Sequence, residues 1–249
     1  MAITAADVNK LRKQTGAGMM DCKNALVETD GDFEAAVDVL RKKGQKVAAK
    51  RGDNETKEGL IYAQATADGK SGVVLALSCE TDFVAKNSDF QEFVQSLVDV
   101  AINNMPSNVD ELMGLAYNDK LTVAEKIIEQ VGVIGEKLVI SGYEIINADA
   151  VVGYNHPGNQ LATLVGLNSD SDSAVDAGKQ VAMQVAAMNP LALSKEGIDD
   201  NTIARELEVG KDLAIQEGKP ADMAEKIAQG RLSKFFKENT LLSQPNVRD

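Results

Sequence analysis

The chain offers few groups suited to covalent chemistry. Its single histidine, His156, stands in Tyr154-Asn155-His156-Pro157-Gly158, with no second histidine to share a metal and no Gly-x-Ser-x-Gly elbow to supply a nucleophile. Three roles are open to it: a base, an exposed turn residue or a contact to a partner. Gly69-Lys70-Ser71 spells the end of a phosphate-binding loop, but that loop requires a glycine where Gln64 stands and a helix where a strand-like run follows, so it reads as a turn. Cys22 and Cys79 lie far apart without a Cys-x-x-Cys pair, so they suggest neither a disulfide framework nor a thiolate metal site and read as small apolar fillers. Asn54-Glu55-Thr56 is a glycosylation sequon by spelling only. Acidic residues are plentiful but form no recognisable catalytic constellation. These residues single out no metal or cofactor site and none is expected, while an enzyme working through paired carboxylates stays a hypothesis without a constellation to carry it.

Two segments point to recognition instead. In Thr15-Gly16-Ala17-Gly18-Met19-Met20-Asp21-Cys22, adjacent methionines follow a glycine hinge. If Met20 turns inward, Met19 points elsewhere, so core and partner contact both stay open. The second segment is Glu80-Thr81-Asp82-Phe83-Val84-Ala85-Lys86, between a strand and a helix. Thr81 or Asp82 could simply cap a turn there, but Phe83 beside an acid on a loop has the shape of an interface anchor.

The elements that must hold these segments follow from spacing. Residues 3–44 read as three short helices: Thr4 and Asp7 cap the first within an Ile3/Val8 staple, and Val8, Leu11 and Thr15 line its inner face. Met19 to about Thr29 forms the second helix. The Asp30-Gly31-Asp32 turn starts the third, where Phe33, Ala36, Val37 and Leu40 share a face. A core so small is expected to lean on its neighbours. Arg41, Lys42, Lys43, Lys46, Lys50 and Arg51 then make the one basic stretch, running into the turn-rich 52–56. It reads as a helix end entering a connector, with an acidic partner surface as the other possibility. Gly59–Thr66 and Gly72–Cys79 form a hairpin. Ser88 and Gln91 look like a capping box for a helix carrying Phe90, Phe93, Val94, Leu97, Val98 and Ala101.

Helical signals follow at 109–116 and 122–131, then strands at Leu138–Ile146, Ala150–Tyr154 and Leu161–Leu167, and a helix over Val175–Met188. The run Val73–Leu77 leading to a helix that ends in Asn103-Asn104-Met105-Pro106 is echoed by Ala162–Gly166 leading to Met188-Asn189-Pro190, which suggests two related α+β subdomains. Asn201–Glu217 and Pro220–Glu238 form a helical hairpin turning at Gly218, its seam built from Ile203, Leu207 and Leu213 facing Met223, Ile227 and Phe235. The domain expectation is a three-helix unit (1–44), a linker (45–57), core subdomains at 58–136 and 137–198, and the hairpin with its tail (199–249). A chain of 249 residues with 44% apolar content supports such a core, and the net charge of −12 argues against nucleic acid as a partner. No apolar run reaches the ~18–20 residues of a membrane span and no signal peptide opens the chain, so a cytoplasmic protein is expected.

LRKQTGAGMMDCKNAL (11–26), ETDFVAKN (80–87), VAMQVAAMNPLAL (181–193) and EGKPADMAEKIAQGRLSKFFKE (217–238) together resemble the bacterial elongation factor Ts family, over nearly the whole chain. That resemblance implies an α+β protein with a ubiquitin-associated-like three-helix domain, a core of two related subdomains with antiparallel sheets, and a protruding helical hairpin. It also implies a guanine nucleotide exchange factor for elongation factor Tu, which speeds GDP release without covalent chemistry. In the family the acid and aromatic of the Thr-Asp-Phe-Val loop press into the GTPase domain and disturb its magnesium and phosphate site. Carried over, these are Asp82 and Phe83, with Thr81 shaping the loop and Val84 completing the motif. Leu11, Met19 and Met20 match the first domain's contact to the same GTPase domain, and His156 matches a residue near the second subdomain's contact surface. The chain departs from the family in carrying Gln160-Leu161-Ala162 where many relatives have Arg-Ile-Gly, and in ending at Asp249 where relatives add a further strand, so a second sheet lacking that edge is expected.

An adaptor that uses the three-helix module to hold ubiquitin-like or nascent-chain partners is the competing reading. It leaves residues 81–84 without a role.

Overall fold

In the computed structural model, which describes residues 3–247, the first helix begins where its capping box places it. The Thr4 hydroxyl accepts the Asp7 N–H at 3.2 Å, and the Asp7 carboxylate takes the Thr4 N–H at 3.0 Å. This helix, α1 (Ala5–Thr15), ends at Gly16, whose φ of 72° is a left-handed conformation that a side chain would resist. α2 (Met19–Glu28) and α3 (Phe33–Lys50) close a small core of Val8, Leu11, Cys22, Ala25, Leu26 and Ala36. Asp32 caps α3 by accepting the Glu34 and Ala35 N–H groups. Residues 45–50, expected to begin a connector, continue α3 instead, because no breaker intervenes before Gly52.

β1 (Glu58–Ala65) and β2 (Ser71–Cys79) form the expected hairpin in full register, Glu58 opposite Cys79 and Ala65 opposite Gly72. The short α4 (Asp82–Ala85) follows, then α5 (Ser88–Asn104), whose Phe90, Phe93, Val94, Leu97, Val98 and Ala101 are all buried on the sheet. The cap of α5 differs from the expected Ser88/Gln91 box. Asn87, one residue earlier, accepts the Asp89 N–H at 2.8 Å, and asparagine is among the strongest caps. α6 (Val109–Gly114), a small ribbon of β3 (Ala116–Asn118) and β4 (Leu121–Thr122), and α7 (Val123–Ile134) come next. α7 carries a second reciprocal box, Thr122 with Glu125, and buries Val123, Ile127 and Val131.

α3 and α7 cross at glycines. A Cβ on Gly44 would stand 2.8 Å from the Ile128 carbonyl oxygen, and one on Gly132 would stand 2.8 Å from the Gly44 Cα, so each helix meets bare backbone of the other. The three-helix module is thereby seated on the core through its own longest helix.

β5 (Val139–Asn147), expected to open the second subdomain, instead completes the first sheet, in antiparallel order β1-β2-β5 with Ser71 opposite Asn147. Tyr143 and the neighbouring Leu138 are buried in the core under α5, which draws the strand there. β6 (Ala150–Asn155) and β7 (Ala162–Leu167) form a separate two-stranded sheet against β1. Asn155 fastens it there: its side chain accepts the Ala63 N–H at 2.7 Å and donates to the Ala63 carbonyl at 2.9 Å.

These elements make one compact unit, ending at Asp170. A second begins at Ser171 and holds α8 (Asp172–Met188), capped by Ser171, and the hairpin of α9 (Asp200–Gln216) and α10 (Ala221–Asn239). The hairpin exists, and its closest contact is made of small residues: Gly210, Ala214, Ala224 and Ala228 are buried, Ile203, Leu207, Ile227 and Phe235 are half-buried, and Leu213 and Met223, expected in the seam, are exposed. Gly210 lies close against Ala228, and backbones so near leave no room between them for large side chains. The chain is therefore α+β, with every strand pairing antiparallel.

Candidate functional site: a braced aromatic turn

β2 ends at Cys79, and the backbone must then change direction to start α4. Three N–H groups in that region leave the sheet ladder, and carboxylates receive them. Glu136, just past the C-terminus of α7, takes the Glu80 N–H and the Thr81 N–H on one oxygen, each at 3.0 Å. Its other oxygen accepts the Thr81 hydroxyl at 2.6 Å. Glu80 in turn accepts the Lys137 N–H at 2.6 Å, the Asn54 amide at 2.9 Å and two contacts from Arg51, the C-cap of α3, at 2.8 and 2.9 Å. Burial raises the pKa of Glu80, but these donors outweigh it, Lys137 foremost, and hold it below the ordinary glutamate value. Two carboxylates thus tie α3, β2 and α7 together at one point, and such charge-assisted bonds are the strong kind.

The braced backbone presents Phe83. The residue is 82% exposed, although both ends of its turn are fixed: Thr81 by Glu136 and Ala85 by burial in the core. Val84 is half-buried against the same core. Asp82 pairs with Lys86 at 2.6 Å, and that hydrogen bond keeps its carboxyl below the usual aspartate range. Both partners are substantially exposed, so the pair contributes little and is easily exchanged for another cation.

The expected site residues on the three-helix module separate into surface and support. Met19 (53%) and Met20 (62%) are both exposed, so neither is core, and Val27 joins them on the outer side of α2. Leu11 is fully buried beneath, so it cannot itself touch a partner; it is a correction to the expected contact set, imposed by the α1 stripe on which it lies with Val8 and Thr15. His156 is exposed in the β6–β7 turn, where Nδ1 bonds the Tyr154 hydroxyl at 2.8 Å.

The remaining chemistry candidates are placed as follows. Gly69-Lys70-Ser71 joins β1 to β2 as a turn. Both cysteines are buried and free, and burial pushes the Cys79 thiol up to about 11, far from thiolate at neutral pH. Among the described residues no group of three or more His, Cys, Asp or Glu side chains is placed to hold a metal, and no helix is long and apolar enough to cross a membrane. Spacing did not single out Glu136, Arg51 or Asn54 as supports of the turn; their link to it spans tens of residues, and no local pattern marks it.

Comparison with known proteins places the chain in a family. The family model described as Elongation factor TS matches residues 80–249, beginning at the braced turn. Curated proteins named Elongation factor Ts are similar over almost the entire chain: that of Christiangramia forsetii is 51% identical over 99% of this chain and 89% of its own length. The Amoebophilus asiaticus protein is 52% identical over 100% of this chain and 90% of its own, and the Porphyromonas gingivalis protein 47% over 100% and 89%. On that similarity the chain is a translation elongation factor protein and belongs to the elongation factor Ts family.

Proposed function

We propose that this chain is a guanine nucleotide exchange factor for elongation factor Tu, acting by contact alone. The observation that carries the reading is a large aromatic side chain held out in water on a turn whose two ends are fixed. Exposing a phenylalanine costs a folded protein apolar burial, and a rigid exposed anchor recovers that cost only when a partner covers it.

In this reading Phe83 enters the GTPase domain as a wedge and shifts packed elements around the nucleotide in discrete steps. Asp82, released from Lys86, brings a carboxylate toward the magnesium and phosphate site and competes with its ordered oxygen ligands. Thr81 and Val84 hold the wedge at its base. Met19 and Met20 supply affinity through a second apolar contact, Leu11 keeps their helix in place from below, and His156 offers a polar contact from the β6–β7 turn. The free-energy balance is a cycle: whatever factor the chain takes from GDP affinity, GDP takes from the chain's affinity. GDP then leaves faster, and GTP refills the site.

Release of labelled GDP from elongation factor Tu, measured with and without the chain, tests the reading. Accelerated release supports it. Binding without acceleration would favour the adaptor reading instead, and equal affinity for nucleotide-free and GDP-loaded partner would exclude exchange by this cycle.

A further inference from the structure

Glu136 lies outside the motif that carries Phe83, yet it makes the contacts that set the direction of the turn. It follows Gly135, the C-cap of α7, and α7 is immobilised by its buried Val123, Ile127 and Val131 and by the glycine crossing with α3. From that frame one carboxylate satisfies the two backbone N–H groups that leave the β2 ladder and the hydroxyl of the only side chain between Glu80 and Asp82. Glu80 cannot take over this task, since its own oxygens are engaged by Arg51, Asn54 and the Lys137 N–H. Without Glu136 the Glu80 and Thr81 amides would turn to water, and the extended backbone of Thr81 (φ −125°, ψ 152°), two residues from Phe83, would lose the direct bonds that fix it from outside its own strand and helix.

We propose that Glu136 is a positioning residue for exchange: it acts as a hydrogen-bond acceptor that pre-orders the Thr81–Phe83 backbone, so that Phe83 meets the GTPase already in its working direction. This rests on the exchange-factor reading. The role belongs to the acceptor geometry and not to the charge, because the three groups it serves are uncharged donors.

The test uses the full chain as wild type, Glu136→Ala, Glu136→Gln and Glu136→Asp, with three measurements on each: the plateau rate of labelled-GDP release from elongation factor Tu at saturating chain, the half-saturating concentration, and hydrogen exchange of the Glu80 and Thr81 amides against those of Val73 and Leu75 in the sheet. Glu136→Ala should lower the plateau by about tenfold, change the half-saturating concentration by less than about threefold, and speed exchange at Glu80 and Thr81 alone. Glu136→Gln should restore most of the plateau, since its carbonyl can accept both N–H groups and its amide can donate to the Thr81 hydroxyl. Glu136→Asp keeps the charge but withdraws the acceptors by one methylene and should resemble Glu136→Ala.

Wild-type stimulation by Glu136→Ala, or rescue by Asp but not by Gln, overturns the positioning role while leaving the exchange reading intact. If Glu136→Ala loosens the Val73 and Leu75 amides as well, the Gln and Asp variants carry the decision alone. If wild type gives no stimulation, the exchange reading fails, and with it the role in exchange, whereas the brace itself is still decided by whether Glu80 and Thr81 lose protection.

Discussion

The start of α2 and the turn at α4 both hold apolar side chains in water, but by opposite means. At α2, Met19 and Met20 ride the first turn of a helix whose N-cap, Gly18, offers no side-chain bond, and beneath them lie the packed side chains of Leu11, Cys22 and Leu26, with one half-exposed ion pair, Asp21 to Lys43, beside them. At α4, Phe83 is set by hydrogen bonds that converge on two carboxylates from three separate elements. Flexible methionines on a helix end suit a partner's surface, which is the affinity role proposed for them. A phenylalanine on a polar brace keeps its direction under load, which is what the proposed displacement of a packed GTPase element would demand. The contrast teaches that exposure alone does not define a role; the mechanics underneath do.

The comparison breaks first at its foundations. Leu11→Ala should destabilise the three-helix module by about 2–5 kcal/mol, the usual range for a fully buried leucine, seen as an early loss in chemical denaturation. A variant that melts like wild type yet binds elongation factor Tu weakly would instead return Leu11 to the contact set. Next in size, Phe83→Ala should cost about 2–4 kcal/mol of partner-directed interaction and most of the GDP-release stimulation, while leaving the chain's own melting temperature unchanged, because the ring is exposed. Combining it with Asp82→Ala should be less than additive, since on the proposed mechanism both residues push on one element. A lowered melting temperature for Phe83→Ala would show that the ring serves the fold.

Smaller again, Met19→Ala and Met20→Ala should each weaken the complex by about 1–2 kcal/mol, in proportion to the apolar area that remains to be covered, with no change in the plateau rate. A reduced plateau at saturating chain would erase the division of labour between the two regions. The smallest effect sharpens the comparison through pH. Glu80 is held below its ordinary value of 4.5, so its bonds contribute in full above that pH and are lost as pH falls through the lower folded-state value. The Lys137 amide resonance should therefore titrate with a midpoint below 4.5, whereas the Ala17 amide, which donates to the Thr15 hydroxyl, should not follow it. A Lys137 midpoint at or above 4.5 would mean that the brace is loose.

Much of this was legible because local chemistry decides it. The Thr4/Asp7 box, the Asp32 cap and the β1–β2 turn each depend on residues within a few positions, and each formed as read. Where two local signals compete the reading slipped, as at Asn87 against Ser88. Pairing of β5 with β2 joins Ser71 to Asn147, and the Glu136 brace joins residues more than fifty positions apart; alternation and periodicity carry no information about such partners. The hairpin seam is legible only in part: Ile203, Leu207, Ile227 and Phe235 are half-buried, but Gly210 and Ala228 bring the helices so close that Leu213 and Met223 stay outside.

The crossing of α3 and α7 at Gly44 and Gly132 has a consequence for how this molecule can vary. Elsewhere in a core, a substitution that adds volume at one position is compensated by one that removes it opposite. Here neither side has an atom left to give up: a methyl group on either glycine meets backbone of the other helix, and the opposing residue is already the smallest there is. The two positions cannot exchange volume with each other, so drift at either must move a whole helix, and α3 carries the Arg51 contact to Glu80 at its far end. A single added carbon at the crossing would thus be felt at the turn that bears Phe83, which makes Gly44→Ala a sequence change whose address and effect lie in different parts of the chain.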